Sequence, residues 1–346
     1  MRRSMNWIIA LLLMLNIQTV SAQDNRTITV IAHDSFNYSE DVMAAFEAQT
    51  GLRVEVLRLG DTGSMVNQAV LTRRNPLGDV MFGIDNTFLG RALENDLFIP
   101  YVSQLMASVD DSFIIDPESR VTPIDFGDVC LNYDVAYFSA NDLPLPTQLQ
   151  DLTDPRYRGM LVVQNPATSS PGLAFLLATI AVFGEEGYLN FWSELIANDT
   201  LIASDWTDAY YGQFSATGQG SYPLVVSYAS SPPAEVYFAE TDLDSAPTGA
   251  IVADNTCFRQ IEFAGILNGT DNPEGAQQFI DFLLSVEFQS DMPLQMFVFP
   301  VNQDAILPDV FVDYARIPES PVTLDQSLIA ANRDSWIQTW VENILR

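Results

Sequence analysis

Segments typical of strands and of helices alternate along this chain, and the alternation limits its possible folds more than any other feature. TITVIAHD (27–34) is rich in β-branched residues, EDVMAAFEAQTG (40–51) has apolar residues at helical spacing, and LRVEVLRL (52–59) alternates like a strand. A second half repeats the pattern, since the strand-like MLVVQNP (160–166) leads into an apolar helical run. The alternation predicts an α/β fold with a mostly parallel sheet.

Polar residues follow the predicted strands of the first half. Ligands bind parallel sheets beyond the carboxyl ends of the strands, so these positions are candidates for a binding site. They are Asp34, Ser35, Asp61, Gly63, Ser64, Asp85 and Asn86. GDTGSMV (60–66) is also a glycine turn that opens a helix. The free N–H groups of such a helix start can bind an anion or a polar ligand group.

The second half carries a similar helix start in NPATSSPGL (165–173). A serine N-cap with Pro171 at the first helical position is a strong signal for a helix. Ser169 and Ser170 could instead be nucleophiles, but S-S-P-G differs from the G-x-S-x-G of a nucleophile elbow. The chain's one histidine, His33, would have to be their base, and nothing in the sequence connects it to this loop. We interpret one serine as a cap and the other as a ligand contact.

Aromatic residues stand among polar ones in SDWTDAYYGQF (204–214) and VVSYASSPP (225–233). Such rings either pack at the surface or offer faces to a flat or cationic ligand, with about 0.5–2 kcal/mol for each contact. The rings are Trp206, Tyr210, Tyr211 and Tyr228. Asp34 and Asp205 could balance the charge of a ligand cation.

Composition excludes several classes of function. All 15 basic residues are arginine, which excludes Schiff-base chemistry and a P-loop, because both need a lysine amine. A formal charge of −30 argues against nucleic acid as a partner and favours cationic ligands. Among cations, ferric iron would suit Tyr210 and Tyr211 with His33. Zinc sites built on several histidines are excluded. The main prediction contains no metal site, and ferric iron is kept only as an alternative ligand.

The chain begins like a secreted protein. MRRSMN is basic, WIIALLLMLNI is apolar, and Val20-Ser21-Ala22 forms a small-residue cleavage site, so residues 1–22 are predicted to be a signal peptide. The mature protein is expected to be periplasmic or extracellular, soluble and monomeric. Its two cysteines are Cys130, in the predicted strand 128–138, and Cys257. In an oxidising compartment they form either a disulfide, which we favour, or two buried thiols.

Eight segments together resemble the thiamine-binding periplasmic proteins, the solute-binding components of thiamine ABC importers. They are HDSF (33–36), DTGS (61–64), GDVMFGIDN (78–86), NPATSSPGL (165–173), SDWTDAYYGQF (204–214), VVSYASSP (225–232), FPVN (299–302) and SWIQTWVENILR (335–346). The resemblance implies a type II periplasmic-binding fold, with two α/β lobes joined by crossover strands around a ligand cleft. Lobe 1 would comprise residues 24–124 and 256–346, and lobe 2 residues 125–255. Cys130 and Cys257 would then lie in the crossover strands.

The resemblance also implies a site, which joins the strand ends and aromatic rings described above. The candidate ligand contacts are Asp34, Gly63, Ser64, Asp85, Ser169, Ser170, Trp206, Tyr210, Tyr228, Ala229, Ser230, Ser231 and Phe297. The implied ligand is thiamine, thiamine monophosphate or thiamine diphosphate, with no cofactor, and the implied partner is a membrane permease. Phe297 is a departure, because the family has a tryptophan near this position with a stronger cation–π face.

Three alternatives remain open. A ferric-iron-binding or a polyamine-binding protein could use the same fold. A secreted hydrolase could use Ser64 or Ser170, although the sequence lacks an evident base.

Overall fold

The computed structural model describes residues 26–217, 219–241 and 243–345. The predicted signal peptide at 1–22 lies outside them. The strands are β1 (Thr27–Ala32), β2 (Arg53–Arg58), β3 (Val80–Asp85), β4 (Phe98–Ile99), β5 (Thr122–Asp134), β6 (Leu161–Gln164), β7 (Leu201–Ala203), β8 (Leu224–Tyr228), β9 (Thr248–Ile251), β10 (Phe258–Leu267) and β11 (Phe299–Pro300).

The α-helices are α1 (Glu40–Thr50), α2 (Thr62–Thr72), α3 (Leu89–Glu94), α4 (Val135–Ala140), α5 (Ser170–Ala197), α6 (Pro232–Tyr237), α7 (Pro273–Leu284), α8 (Val286–Gln295), α9 (Asp309–Tyr314) and α10 (Gln326–Ile344). In the first half, strands and helices alternate from β1 to α3, as the sequence predicts. A π-helical turn at Asp208–Gln213 and short 3₁₀ turns complete the helical structure of the described residues.

One sheet contains every described strand, in the order β2-β1-β3-β10-β5-β8-β6-β7, with β4 on β10 and both β9 and β11 on β5. β1 is parallel to β2 and β3, and β6 is parallel to β7 and β8. The two parallel groups are joined by β5 and β10, which pair antiparallel with each other and with the neighbouring strands β8 and β3. The sheet is therefore mixed, and the prediction of a mostly parallel sheet is wrong, because six of the ten pairings among the described strands are antiparallel. The group that ends with β3 lies beside β10, and the group that contains β8 lies beside β5. The carboxyl ends of the two groups therefore lie on opposite sides of the two central strands.

A disulfide ties the central strands together. Cys130 on β5 is bonded to Cys257, the residue immediately before β10, across a sequence separation of 127. This confirms the predicted disulfide over the alternative of two free thiols. Both cysteines are buried. The bond between them restrains the relative position of β5 and the start of β10, where the two parallel groups meet.

Two element predictions need correction. The strand predicted over 128–138 spans Thr122–Asp134 and then becomes α4, because the Asp134 carboxylate accepts the Tyr137 N–H and caps the helix. Helix α5 has Ser169 as its N-cap, so Pro171 is the second helical residue and not the first.

Helix α5 belongs to the core. Its first turns are buried almost all round, and its run is interrupted at Gly184, where φ is 72° and ψ is 169°. By length and composition alone this helix could cross a membrane, but most of its apolar part is buried inside the protein. Such burial is expected of an apolar helix that packs in a protein core.

Candidate functional site

A cavity of about 1010 Å³ opens beside the central strands, at the carboxyl ends of both parallel groups. Its wall combines the ends of β1 and β8, the starts of α2 and α5, the π-helical turn, β10 and the loop before β11. This is where ligands bind in open α/β sheets. Its volume is at the upper end of the range for small-molecule sites.

The predicted ligand contacts divide into two groups. Those that line the cavity are Asp34, Ser64, Ser170, Trp206, Tyr210, Tyr228, Ser231 and Phe297. Those that are buried behind its lining residues are Gly63, Asp85, Ser169, Ala229 and Ser230. The structure thus brings the predicted residues to one place, and their roles as ligand contacts stay predictions.

The starts of α2 and α5 face each other, as the sequence suggested, but a carboxylate of the protein lies between them. Asp61 caps α2 by accepting the Thr62 N–H at 2.7 Å. The Ser169 hydroxyl and the Ser170 N–H, at the start of α5, lie near the same carboxyl group and lower its pKa, although the hydroxyl has no hydrogen-bond partner among the described residues. Burial nevertheless raises the pKa of Asp61 overall. Groups that were expected to meet a ligand anion therefore already face a carboxyl group of the protein.

Ser170 connects the two parallel groups of strands. Its hydroxyl donates to Oδ2 of Asp85 at the end of β3 and accepts a hydrogen bond of 2.5 Å from Nε2 of Gln260 on β10. Burial raises the pKa of Asp85 to about 6, although hydrogen bonds from Ser170 and Thr87 lower it. The hydroxyl of Ser170 is thus engaged with a carboxylate and an amide, which is an arrangement for holding two segments together.

An aromatic wall forms the side of the cavity at the π-helical turn. The Trp206 ring stacks on Tyr210 at 5.1 Å and meets Tyr211 edge-on at 5.4 Å. Its indole N–H donates to the Ser227 hydroxyl at 3.0 Å, which fixes the ring plane. π-Helical turns are rare and occur often at functional sites. A flat or cationic ligand can stack on such a wall.

Tyr228 provides a ring at the end of β8. The space for this ring exists because residue 127 is glycine: a Cβ there would come within 2.8 Å of Cδ1 of Tyr228. Its hydroxyl donates to Oε1 of Gln260 at 3.0 Å. A fixed ring with an occupied hydroxyl is suited to stacking and not to nucleophilic chemistry.

His33 and Glu262 form an ion pair at the floor of the cavity, with 3.3 Å between Nε2 and Oε2. Gly83, at φ 85°, leaves room for the imidazole, because a Cβ there would lie 2.1 Å from Cδ2 of His33. Burial lowers the pKa of His33, but Glu262 and the nearby Asp61 and Asp85 raise it above its ordinary value overall. The pair therefore favours a charged imidazolium beside a carboxylate.

The lining residues are strongly acidic. Five of them carry carboxyl groups, namely Asp34, Asp61, Asp205, Asp208 and Glu262, and none of them is an arginine. In a partly enclosed cleft such charges attract cations and oppose anions. The electrostatics of the cavity therefore favour a positively charged ligand.

Phe297 lies at the cavity wall in an unusual conformation. Its φ of 55° is in the left-handed region, which bulky residues adopt rarely. The ring centroid is 5.6 Å from that of Phe238 and 6.2 Å from that of Tyr237, both at the end of α6. Phe297 thus lines the cavity and also packs against the two aromatic rings at the end of α6.

The geometry does not favour the two alternative chemistries. Burial and the charge of Glu235 raise the pKa of Tyr210 well above its ordinary value, and its ring is stacked on Trp206, which suits a neutral aromatic wall. His33 is paired with Glu262 and Ser170 with Asp85, so these two side chains are not assembled as base and nucleophile.

Sequence reasoning missed Glu262 as a lining residue. A signal was present, because Glu262 is the one acidic residue of β10, FRQIEFAGIL, and stands between the apolar residues Ile261 and Phe263. A carboxylate inside a buried strand needs a partner or a function. Asp125 in β5 carried the same signal.

Two relatives match almost the whole chain. The thiamine-binding periplasmic protein of Salmonella typhimurium is 28% identical over 324 residues, which are 92% of this chain and 94% of the relative. The protein of the same description from Escherichia coli is 28% identical over 325 residues, with the same coverage of both chains.

Solved structures share the fold. One described as a periplasmic thiamin binding protein has a TM-score of 0.80 and 27% identity, covering 92% of this chain and 96% of its own. Iron-bound HitA from Pseudomonas aeruginosa has a TM-score of 0.71 at 20% identity, covering 90% of this chain and 98% of its own, which shows the fold alone. These matches confirm the predicted α/β periplasmic-binding fold.

The family is shown by a match over most of the chain. Residues 75–315 match the sequence profile of the bacterial extracellular solute-binding proteins. Proteins of this class deliver a solute to the permease of an ABC importer, which accords with a ligand cavity between two groups of strands. The chain belongs to the family of bacterial extracellular solute-binding proteins.

Proposed function

We propose that this solute-binding protein captures thiamine outside the cytoplasm and delivers it to the membrane permease of an ABC importer. The observation that carries the proposal is the cavity itself, which combines five carboxyl groups, no arginine and a stacked aromatic wall. Thiamine has a permanently charged thiazolium and a flat aminopyrimidine ring, which match those two features. The thiamine-binding relatives in Salmonella typhimurium and Escherichia coli support the choice of ligand.

Export and lobe closure belong to the same proposal. Residues 1–22 would be removed as a signal peptide, which agrees with the periplasmic relatives. Residues 24–124 and 256–346 would form one lobe and residues 125–255 the other. Ligand binding would shift the population towards a closed arrangement, in which both lobes contact the ligand. No covalent step is required, and the protein would act as a monomer.

Thiamine, its monophosphate and its diphosphate are all candidate ligands. Unphosphorylated thiamine is the form that the cavity favours, because a phosphate would approach the carboxylate of Asp61 at the two helix starts. The acidic lining adds to this repulsion.

The test is calorimetric titration of the mature chain with thiamine, supported by thermal unfolding. We expect a Kd in the micromolar range or tighter and a higher melting temperature with ligand. Trp206→Ala should weaken binding about five- to thirtyfold, since a stacked cation–π contact contributes about 1–2 kcal/mol.

A matched pair of substitutions separates the site from the fold. Trp206→Phe and Trp336→Phe each remove an indole N–H that donates to a side chain, to Ser227 and to Glu185 respectively. Only the first should weaken thiamine binding. If thiamine and its phosphates produce neither heat nor a thermal shift, the proposal is wrong. A visible absorption band with Fe(III) citrate, or tighter binding of spermidine than of thiamine, would support the competing ligands instead.

A further inference from the structure

Three carboxyl groups lie side by side across neighbouring strands beneath the cavity. Glu262 on β10 is directly opposite Asp85 on β3 and Asp125 on β5. Residues that face each other in this way have Cβ atoms about 4.5–5.5 Å apart, and like charges there are destabilising. Asp85 and Asp125 are fully buried and Glu262 is 9% exposed. Three ionised carboxylates in this row would be costly, since little solvent screens them.

Asp125 has the fewest partners of the three. Asp85 accepts hydrogen bonds from Thr87 and Ser170, and Glu262 is paired with His33. Neither oxygen of Asp125 has a hydrogen-bond partner among the described residues. Its neighbour Glu262 is only an acceptor when ionised, so the two carboxyl groups bond when one of them carries a proton. Burial and the charge of Glu262 raise the pKa of Asp125 well above its ordinary value, in agreement with such a proton.

Other titratable groups surround this pair. They come from β1, the start of α2, β3 and β8, and they are His33, Asp61, Asp85 and Tyr228. The nearby arginines do not bond to this pair. Arg259 donates two hydrogen bonds to Asp128, at 2.6 and 3.0 Å. Arg333 lies over the Phe88 ring and is paired with Asp334, and its charge also acts on Asp85. In the described part of the chain, no three His, Cys, Asp or Glu side chains are arranged to hold a metal ion. A proton is therefore the cation that suits the pair.

We propose that the Asp125–Glu262 pair holds a proton in the empty cleft and releases it to solvent when a cationic ligand binds beside Glu262. Ligand affinity then rises with pH. The inference rests on the proposed function, because it requires a ligand with a permanent positive charge. The thiazolium of thiamine has no proton to lose, so the proton comes from the protein and goes to the buffer. One positive charge replaces another, and the net charge of the site is conserved.

Calorimetry tests the exchange directly. Titration with thiamine at pH 7 in phosphate and in Tris, whose ionisation enthalpies differ, gives the number of protons released. We expect about 0.5–1 proton for each thiamine bound, and an affinity that rises by up to about tenfold per pH unit, the limit for one linked proton. Asp125→Asn keeps the size of the side chain and donates to Glu262 without a titratable proton. It should still bind thiamine, with proton release at least halved and less than about a twofold change per pH unit.

The control is Asp116→Asn, a buried aspartate that is paired with Arg120 and does not line the cavity. Its proton release should equal that of the wild type. Titration of the aminopyrimidine ring of thiamine contributes equally in all variants, so the difference between them is diagnostic.

Equal release from Asp125→Asn and wild type overturns the inference. If Asp125→Asn does not fold, a wild-type buffer dependence of zero protons between pH 6 and 8 overturns it equally. If thiamine does not bind at all, the proposed function is wrong, and the inference that depends on it is wrong as well.

Discussion

At the scale of single residues, we expect Asp61 to decide which ligand charge the site accepts. It lies at the two helix starts that would otherwise receive an anion. Asp61→Asn removes one negative charge while preserving the size of the side chain. We expect the affinity for thiamine diphosphate, relative to that for thiamine, to increase about tenfold, because a charge–charge interaction of at least 1.4 kcal/mol is lost. Calorimetric titration of both ligands at one pH measures the ratio.

A second aspartate provides the control for this prediction. Asp34 also lines the cavity, but its carboxylate accepts the Gly60 N–H, one residue before Asp61, and not the Thr62 N–H that Asp61 accepts. Asp34→Asn changes the net charge equally and should alter the ratio less. Equal ratios for both variants would show that overall charge, and not the position of Asp61, governs ligand choice.

The sequence predicted the polar surface of the site better than its interior. Ser64, Ser170, Trp206 and Tyr228 were found because helix starts and aromatic residues among polar ones leave local patterns. The carboxyl row could not be found in this way, since Asp125 and Glu262 are 137 positions apart and meet only through the register of β5 and β10. Strand register depends on tertiary pairing, which no short segment encodes.

At the scale of elements, the contact between helix α2 and the turn before α5 sets how closely the two strand groups approach. An ideal Cβ on Gly63 would lie 2.9 Å from the Thr168 carbonyl oxygen and 3.0 Å from the Phe88 ring. Gly63→Ala should therefore push the two helix starts apart and weaken thiamine binding about tenfold, with a small effect on folding. Titration calorimetry and the melting temperature without ligand separate the two effects.

Gly187→Ala is the matched control, because Gly187 lies within α5 and a Cβ there meets only Phe183, at 3.3 Å. Thiamine affinity should be unchanged, and stability should rise slightly because alanine favours helices. Unaltered binding by Gly63→Ala would mean that the helix starts do not have to approach this closely.

The elements themselves were predicted well where local signals are strong. Helix α1 ends at Gly51, which adopts the left-handed conformation expected of a C-cap. Prediction was wrong at the end of β5, where the apolar residues of 135–138 suit a strand and a helix equally. There the Asp134 side chain decides, by capping α4. That crossover strands join two lobes was an expectation from the family resemblance and not from periodicity.

At the scale of the whole molecule, acidity and stability are linked. The chain has 45 acidic and 15 basic residues, and its most deeply buried carboxyl groups lie at the centre of the sheet. Burial raises the pKa of Asp85 to about 6, and the pKa values of Asp125 and His33 are raised as well. Groups with a raised pKa in the folded state bind more protons than they do in the unfolded chain. They therefore contribute stability at low pH that is lost as the pH rises through the folded pKa.

Acidification from pH 7.5 to pH 5 should therefore raise the melting temperature by a few degrees. Asp85 alone contributes about 1 kcal/mol to the free energy of unfolding over this range, because it is largely protonated at pH 5 when folded and ionised when unfolded. Thermal unfolding at several pH values measures the slope, and Asp85→Asn should reduce it. A melting temperature that falls steadily below pH 7.5 would contradict the prediction. Thiamine affinity should change in the opposite direction over the same range, because protons that stabilise the empty cleft compete with a cationic ligand for the same carboxyl groups.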